Sequence, residues 1–315
     1  MLKTGGEPAQ IRDRCPEEEK MIRIGMIGAD STHTEAWTQL VNPADSPLHG
    51  RAQVVKLWGE DREQAQAKAS EWQIPEVVGT PAEALADVDL AMVVNRYGED
   101  HPPHARQAIE AGLPTFVDKP FANEMGDVHS LVRLAAERDV PLMSCSALRY
   151  AGEVMELQER MEGFGALNCA VVSGAAAGDF PDPRAMHPFF YGIHATELLH
   201  TLLGSGAAAV TTRRTERCDI GLVHYADGRQ GVVNLLHETP GLYHGAVYGA
   251  EGWGEANIVD GDRFYTETLA RVIQMAVSGE PPFPVDWTVE VMAIMAALVR
   301  SAEEGGRTVQ IGRFE

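Results

Sequence analysis

Two units in series are predicted for this chain. A doubly wound parallel α/β sheet spans residues 21–147, and an α+β unit with a mostly antiparallel open sheet spans 148–315. Three observations carry the prediction. From residue 22 to 144, short continuous apolar runs alternate with amphipathic helical stretches, the pattern of parallel strands covered on both faces. Beyond residue 150, extended runs follow one another with turns such as ADGR and VDGD between them, as antiparallel strands do. A length of 315 residues is also more than one core usually serves.

The elements follow in order. IRIGMIG reads as a strand and HTEAWTQLV as its helix; QVVKLW and DREQAQAKASEW repeat the unit, as do VDLAMVV and HPPHARQAIEAG. PTFVD, EMGDVHSLVRLAAERD and VPLMS complete the first sheet. The second unit opens with the helix AGEVMELQERMEG and the strand ALNCAVVSGA. A Gly/Ala/Pro loop over 174–188, which matches no motif, leads to a helix from HPFFYGIHATELLHTLLG. AAVTTRRTER, DIGLVHYAD, QGVVNLLHE, YHGAVYGAEG and EANIVD are strands, and TETLARVIQMAVSG and DWTVEVMAIMAALVRSAEEG are closing helices, the last free to pack back on the first unit.

Composition excludes several classes. With 46 acidic against 26 basic residues the net charge is −20, which repels nucleic acid and anionic membranes. No apolar run is long enough to span a bilayer. Residues 1–20 lack the apolar segment of a signal peptide and read as a polar leader. The four cysteines, Cys15, Cys145, Cys169 and Cys218, are isolated from one another, as suits a reducing cytoplasm. Six of the eleven histidines, His187, His194, His200, His224, His237 and His244, lie in the second half; Glu197 and His200 are three apart, but no tight zinc spacing occurs and no metal is expected.

The first strand ends in GMIGADSTH. A dinucleotide-binding turn, G-x-G-x-x-G from Gly28, asks for glycine at 30 and 33, where this chain has Asp30 and His33. Thr32 and Glu35 form a T-x-x-E capping box, placing the helix start there. Asp30 and Glu35 then lie at the helix end that would face a pyrophosphate. A carboxylate ~4 Å from a phosphate charge costs about 1 kcal/mol in water and nearer 4 kcal/mol at an effective dielectric of about 20. With Asp30 turned aside, Ser31, Thr32 and backbone N–H groups remain to serve a phosphate.

Four segments carry a family resemblance. VDKPFA (117–122) resembles an E-K-P motif, and HPPHARQAIEAG resembles H-x-x-x-A-x-x-A-L-x-A-G with His101 first. FYGIHATELL (190–199) resembles D-x-G-x-H-x-x-D, and the tail is similar to a closing helix and short strand. Together, in this order and spacing, they resemble the glucose-fructose oxidoreductase / inositol dehydrogenase / MocA (Gfo/Idh/MocA) family over nearly the whole chain from Met21, as a divergent member. The resemblance implies that Lys119 contacts substrate and the nicotinamide end, set by a Lys-Pro bond that is often cis in the family. A partly desolvated lysine has a lowered pKa and can exchange a proton with a hydroxyl near neutral pH. It also implies a catalytic His194, with Glu197 as its orienting acid.

Several family positions have changed. Phe190 stands where the family has the aspartate that relays the hydroxyl proton. Gly59 stands at the ribose-binding acid, with Glu60 next to it as a substitute. The T-P-N turn has become Arg96-Tyr97-Gly98 after Asn95. Arg96 faces a phosphate or a substrate carboxylate, or else pairs with Glu99 or Asp100. The implied cofactor is NAD or NADP, held by Gly28, Asp30, Ser31, Thr32, Glu60, Asn95, Arg96, His101 and Lys119. Tyr97, Phe190, Tyr191 and Glu197 are the implied substrate contacts, the aromatic residues serving either as core or as a floor for a sugar ring. The expected activity is oxidation or reduction of a sugar, polyol or related hydroxy compound, in a homo-oligomer, dimer or tetramer, built on the open sheet. Two alternatives stay open: a redox-neutral or cofactor-independent lyase, epimerase or glycoside-cleaving enzyme, and a non-catalytic ligand-binding protein.

Overall fold

The computed structural model describes residues 20–176, 182–239 and 241–312. The polar leader through residue 19, with Cys15, and part of the 174–188 loop lie outside the described residues.

The first sheet is built as β1 (Ile22–Ile27), α1 (Thr32–Thr38), β2 (Ala52–Trp58), α2 (Arg62–Glu71), β3 (Glu76–Val77), α3 (Pro81–Ala84), β4 (Leu90–Val93), α4 (His101–Glu110), β5 (Thr115–Val117), α5 (Met125–Arg138) and β6 (Leu142–Met143). Its order is β3-β2-β1-β4-β5-β6 and every pairing is parallel. The near-continuous apolar strands are buried on both faces: Ile24, Met26, Leu90 and Met92 form one core with Trp37 and Phe116, while Ile27 and Ala91 join another beneath α3 and α4. The two-residue β3 and the four-residue α3 escaped the sequence reading because neither is long enough to show a period.

A short 3-10 turn (Ala147–Tyr150) leads into α6 (Gly152–Met161) and β7 (Leu167–Ala175). Then come α7 (Phe189–Leu203), β8 (Ala207–Arg214), β9 (Cys218–Tyr225), β10 (Gln230–Leu236), β11 (Tyr243–Gly249), β12 (Trp253–Asn257), α8 (Gly261–Ser278), α9 (Val285–Glu303) and β13 (Val309–Gln310). The second sheet runs β12-β11-β7-β10-β9-β8-β13; only β7 and β10 pair in parallel. Helices α7 and α9 cover one face, and α9 also packs against α5 and β6. The other face leaves Ile220, Leu222, Tyr248 and Trp253 exposed.

Helix α8 begins five residues earlier than the sequence reading placed it. VDGD, taken as a turn, is a helix start: the Asp260 carboxylate accepts the Arg263 N–H at 3.1 Å. The early start puts Phe264 and Tyr265 on the helix and, as shown next, into the site.

Candidate active site

Strand order in the first sheet reverses between β1 and β4, and doubly wound sheets bind ligands outside the strand ends at such a point. A cavity of about 230 Å³ lies there. Ser31, Thr32, His33 and Trp37 line it from α1, and Asp118 and Lys119 from the end of β5. Phe190, Tyr191 and His194 of α7, Tyr243 of β11, and Phe264 and Tyr265 of α8 close it from the other side.

Lys119 is buried, and the Lys119–Pro120 bond is cis. Its Nζ lies 3.4 Å from the Phe190 carbonyl oxygen and 5.0 and 5.6 Å from the centres of the Phe190 and Tyr191 rings. Burial lowers its pKa, Arg96 adds to the fall, and Asp118 opposes it. For the buried Asp118, desolvation alone would raise the pKa, but His33, Lys119 and His101 outweigh it and hold the carboxyl at about 2. One carboxylate oxygen accepts the Lys119 backbone N–H at 2.8 Å; the other meets His33 Nδ1.

His194 Nδ1 lies 2.6 Å from the Ser146 hydroxyl, which accepts the Leu148 N–H at 3.2 Å. Ser146 is fully buried, so its own hydrogen needs an acceptor, and Nδ1 provides one. Satisfying that hydrogen assigns the remaining proton to Nε2, making His194 an N–H donor among the cavity walls. Burial, reinforced by Lys119 and His33, holds its pKa well below 6.5, so the ring is neutral at pH 7. The unfolded chain takes up a proton near pH 6.5 while the folded site does not. Stability that is present above pH 6.5 is therefore lost as pH falls toward the lowered folded value. His194→Gln is expected to lose less melting temperature between pH 7 and pH 5 than wild type; equal losses would place the titration elsewhere.

The other anticipated residues divide. Phe190 and Tyr191 line the cavity. Tyr97 does not; it packs behind the cavity on Phe190, under the Arg184 guanidinium at 3.8 Å from its ring centre. Glu197 also departs from its expected place. It does not orient His194 but ion-pairs with buried Arg149 at 2.5 Å, and Ser146 holds the imidazole instead. His101 is fully buried, its ring nitrogens each 2.8 Å from a carbonyl oxygen, those of Pro120 and Asn95. It ties together the loops after β4 and β5 and does not reach the cavity.

At the β1 turn, Gly28 has φ of 115°, and a Cβ there would stand 2.4 Å from the Asn95 nitrogen. Ser31 is the helix cap in place of Thr32, because its extended backbone aims its oxygen at the His33 N–H, 3.1 Å away. Glu35 turns to Lys68 at 2.8 Å, so the capping box does not form. Asp30 accepts the Arg96 N–H at 3.2 Å, and the Arg96 guanidinium reaches back to the Asp30 carbonyl oxygen at 2.5 and 2.8 Å. Arg184 meets Glu99 and Asp100. Glu60 is exposed after β2, and Gly59 has no room for a side chain: a Cβ would lie 2.5 Å from that of Ala29.

Several cavity residues carry no site signal in the sequence, among them His33, Asp118 and Tyr265. His33 shows in the sequence only as a lost glycine, and Tyr265 gives no local signal at all. In the fold the Tyr265 hydroxyl lies 3.0 Å from His33 Nε2. Among the described residues, no group of three or more His, Cys, Asp or Glu is placed to hold a metal ion, and no helix is long and apolar enough to cross a membrane.

Residues 22–145 match the GFO_IDH_MocA family, described as oxidoreductase family, NAD-binding Rossmann fold. That match covers 124 of the chain's 315 residues, the first unit of the fold, which is thereby similar to the NAD-binding domain of that family. Dehydrogenase aclE of Aspergillus oryzae is 32% identical over 149 residues, 44% of this chain and 40% of that protein. Inositol 2-dehydrogenase 3 of Saccharopolyspora erythraea is 26% identical over 208 residues, 62% of this chain and 57% of that protein. The matched stretches thus span about half the length of these curated relatives. In fold the likeness is complete: GenD2 from gentamicin A biosynthesis, solved with NAD, superposes with a TM-score of 0.81 at 22% identity, over 98% of this chain and 100% of that one. Lactobacillus casei myo-inositol dehydrogenase, solved with NAD(H) and myo-inositol, gives 0.79 at 17% identity, over 94% and 98%.

Proposed function

We propose that the protein is an NAD(P)-dependent oxidoreductase acting on the CH–OH group of a sugar, polyol or related hydroxy compound. The observation that carries this reading is the convergence of Lys119 and His194 on one cavity at the switch point of the parallel sheet. The match of residues 22–145 to an oxidoreductase family with an NAD-binding Rossmann fold supports it. So does the donor set beside the cavity. Asp30 Oδ1 and Asn95 Oδ1 are buried acceptors without a hydrogen-bond partner, and the hydroxyls of a ribose or the amide of a nicotinamide are donors that would satisfy them. Gly28 lets the chain after β4 pack directly against the β1 turn, which brings Asn95 and Arg96 beside Asp30. Gly28, Asp30, Ser31, Thr32, Asn95, Arg96 and Lys119 would hold the cofactor, with Glu60 at the outer end.

When bound, the cofactor supplies a hydride acceptor or donor. Lys119 and His194 hold the substrate oxygen: His194 donates its Nε2–H, and Lys119 places an amine of lowered pKa to carry the hydroxyl proton. Phe190 and Tyr191 present ring faces, suited to the C–H face of a sugar or cyclitol.

Trp37 lines the cavity, so its fluorescence is a natural reporter of cofactor entry. We expect saturable quenching by NAD(H) or NADP(H), and growth of the reduced-nicotinamide absorbance with at least one member of a panel including myo-inositol and common hexoses. No binding of either cofactor would sink this reading. Binding without turnover across the panel would favour a lyase or epimerase. The exposed apolar row on the second sheet, with Tyr248 stacked on Trp253, is assigned to contact with further copies of the chain; a monomer by sedimentation velocity would remove that assignment.

A further inference from the structure

We propose that Tyr265, His33 and Asp118 form a proton relay opening on the cavity, with Tyr265 as a further catalytic residue and His33 and Asp118 as positioning residues behind it. The proposal rests on the oxidoreductase reading above. It answers a deficit in that reading: the family's relay aspartate is Phe190 here, an apolar ring against Lys119. Lys119 is itself enclosed by two aromatic faces and a carbonyl, so its proton has no evident path onward through α7.

The chain of hydrogen bonds supplies one. Asp118 is ionised and therefore only accepts; both its oxygens are engaged, one by the Lys119 backbone and one by His33. His33 Nδ1 must then carry the hydrogen donated to Asp118, and in the neutral ring Nε2 is left as an acceptor. The Tyr265 hydroxyl, 3.0 Å away, donates to it and keeps its oxygen lone pairs for a group in the cavity. Edge contacts with Trp37, at 6.1 Å from His33 and 5.0 Å from Tyr265, hold both rings in place. Burial and the Asp118 charge raise the Tyr265 pKa, so a free tyrosinate is disfavoured and the two proton transfers must be coupled.

The substrate C–H bond breaks, and its hydrogen and electron pair leave as hydride to the nicotinamide. The substrate O–H bond breaks and its proton bonds to Tyr265 Oη, while the Tyr265 proton passes to His33 Nε2. Carbon and oxygen form a carbonyl, the substrate is oxidised by two electrons, and the released proton rests on an imidazolium facing the Asp118 carboxylate. Tyr265 thus takes the hydroxyl proton in place of Lys119, and Lys119 and His194 hold the oxygen as cation and N–H donor through the same step. This layout follows the third glycine of the fingerprint becoming His33: a position normally kept bare now carries the middle of the relay.

The charged and titratable groups around His33 are Asp118 and Lys119 after β5, Tyr265 of α8, His194 of α7, Arg96 after β4, and the Glu35–Lys68 pair of α1 and α2. The tests separate His33 from these. In cofactor-free protein labelled with nitrogen-15 histidine, the relay requires His33 to carry its proton on Nδ1 with Nε2 bare; an Nε2 proton on the neutral ring overturns it. With NAD and the panel member turned over fastest (myo-inositol is the first probe), Tyr265→Phe should lower kcat by about a hundredfold or more while Trp37 quenching by NAD stays within about twofold. His33→Gln should lower kcat similarly, again with Trp37 quenching by NAD within about twofold of wild type. A variant that keeps the wild-type kcat overturns the relay and leaves the oxidoreductase reading standing. A wild type that binds NAD but oxidises nothing overturns both.

Discussion

Lys119→Ala should bring turnover down by about 10² to 10⁴, the usual worth of a positioned acid–base group, with a much smaller loss of NAD or NADP affinity, because Lys119 is one of several residues proposed to hold the cofactor. The residue is buried, its amine lies between the Phe190 and Tyr191 rings, and the Asp118 charge holds it in place. Its removal leaves the Gly28 turn and the Asp30–Arg96 contacts intact, which is why cofactor binding should survive. A loss expressed in kcat and in kcat/KM alike would mean that the interaction is made in the transition state; a rise in KM alone would mean ground-state binding only. Unchanged turnover would remove Lys119 from the mechanism. Lys119→Arg is the sharper companion, because the planar guanidinium keeps the charge but cannot give up its proton. Loss of activity in that variant would point to proton transfer, and retention to charge alone.

Arg149→Ala should cost about 3–5 kcal/mol of stability, the range for stripping one partner from a buried ion pair. Both Arg149 and Glu197 are nearly inaccessible, and the guanidinium also lies 4.7 Å from the centre of Phe283 and 5.5 Å from that of Trp287. Its loss leaves the Glu197 carboxylate buried with only a long contact to the Ser146 N–H, at 3.4 Å. The double replacement Arg149→Met with Glu197→Leu should recover most of the loss, since apolar pairs of similar volume commonly replace buried ion pairs without penalty. Urea unfolding of the three variants tests both statements. If the double variant were as unstable as Arg149→Ala yet Glu197→Leu alone were well folded and inactive, Glu197 would belong with the substrate contacts after all.

The contrast between His194 and Glu197 shows how far sequence spacing reaches. Both sit on α7, three residues apart, and a helix puts such residues on neighbouring positions of one face. The tertiary neighbours then separate them. Ser146, in the connection after β6, meets the imidazole, whereas Arg149, three residues further on, draws the carboxylate away. A similar competition gave Glu35 to Lys68 on α2, while the cap of α1 moved from Thr32 to Ser31. For Glu197 and Glu35 the residue type was suited to the expected role, but a cation from another element drew the carboxylate away, whereas the Ser31 cap is decided by its own backbone.

Residues along the chain determined the parallel sheet, its order of strands and helices, the mostly antiparallel second sheet, and the importance of Lys119 and His194 as candidates. These follow from local periodicity and from motifs of a few residues, which are written contiguously in the chain. Tertiary structure decided which candidates share a cavity. It placed Tyr97, His101 and Glu197 among structural contacts, and it brought His33, Asp118 and Tyr265 together from positions 33, 118 and 265. Such a cluster has no spacing to read: its members lie 85 and 147 residues apart, and only the packing of α8 over the ends of β1 and β5 makes them neighbours.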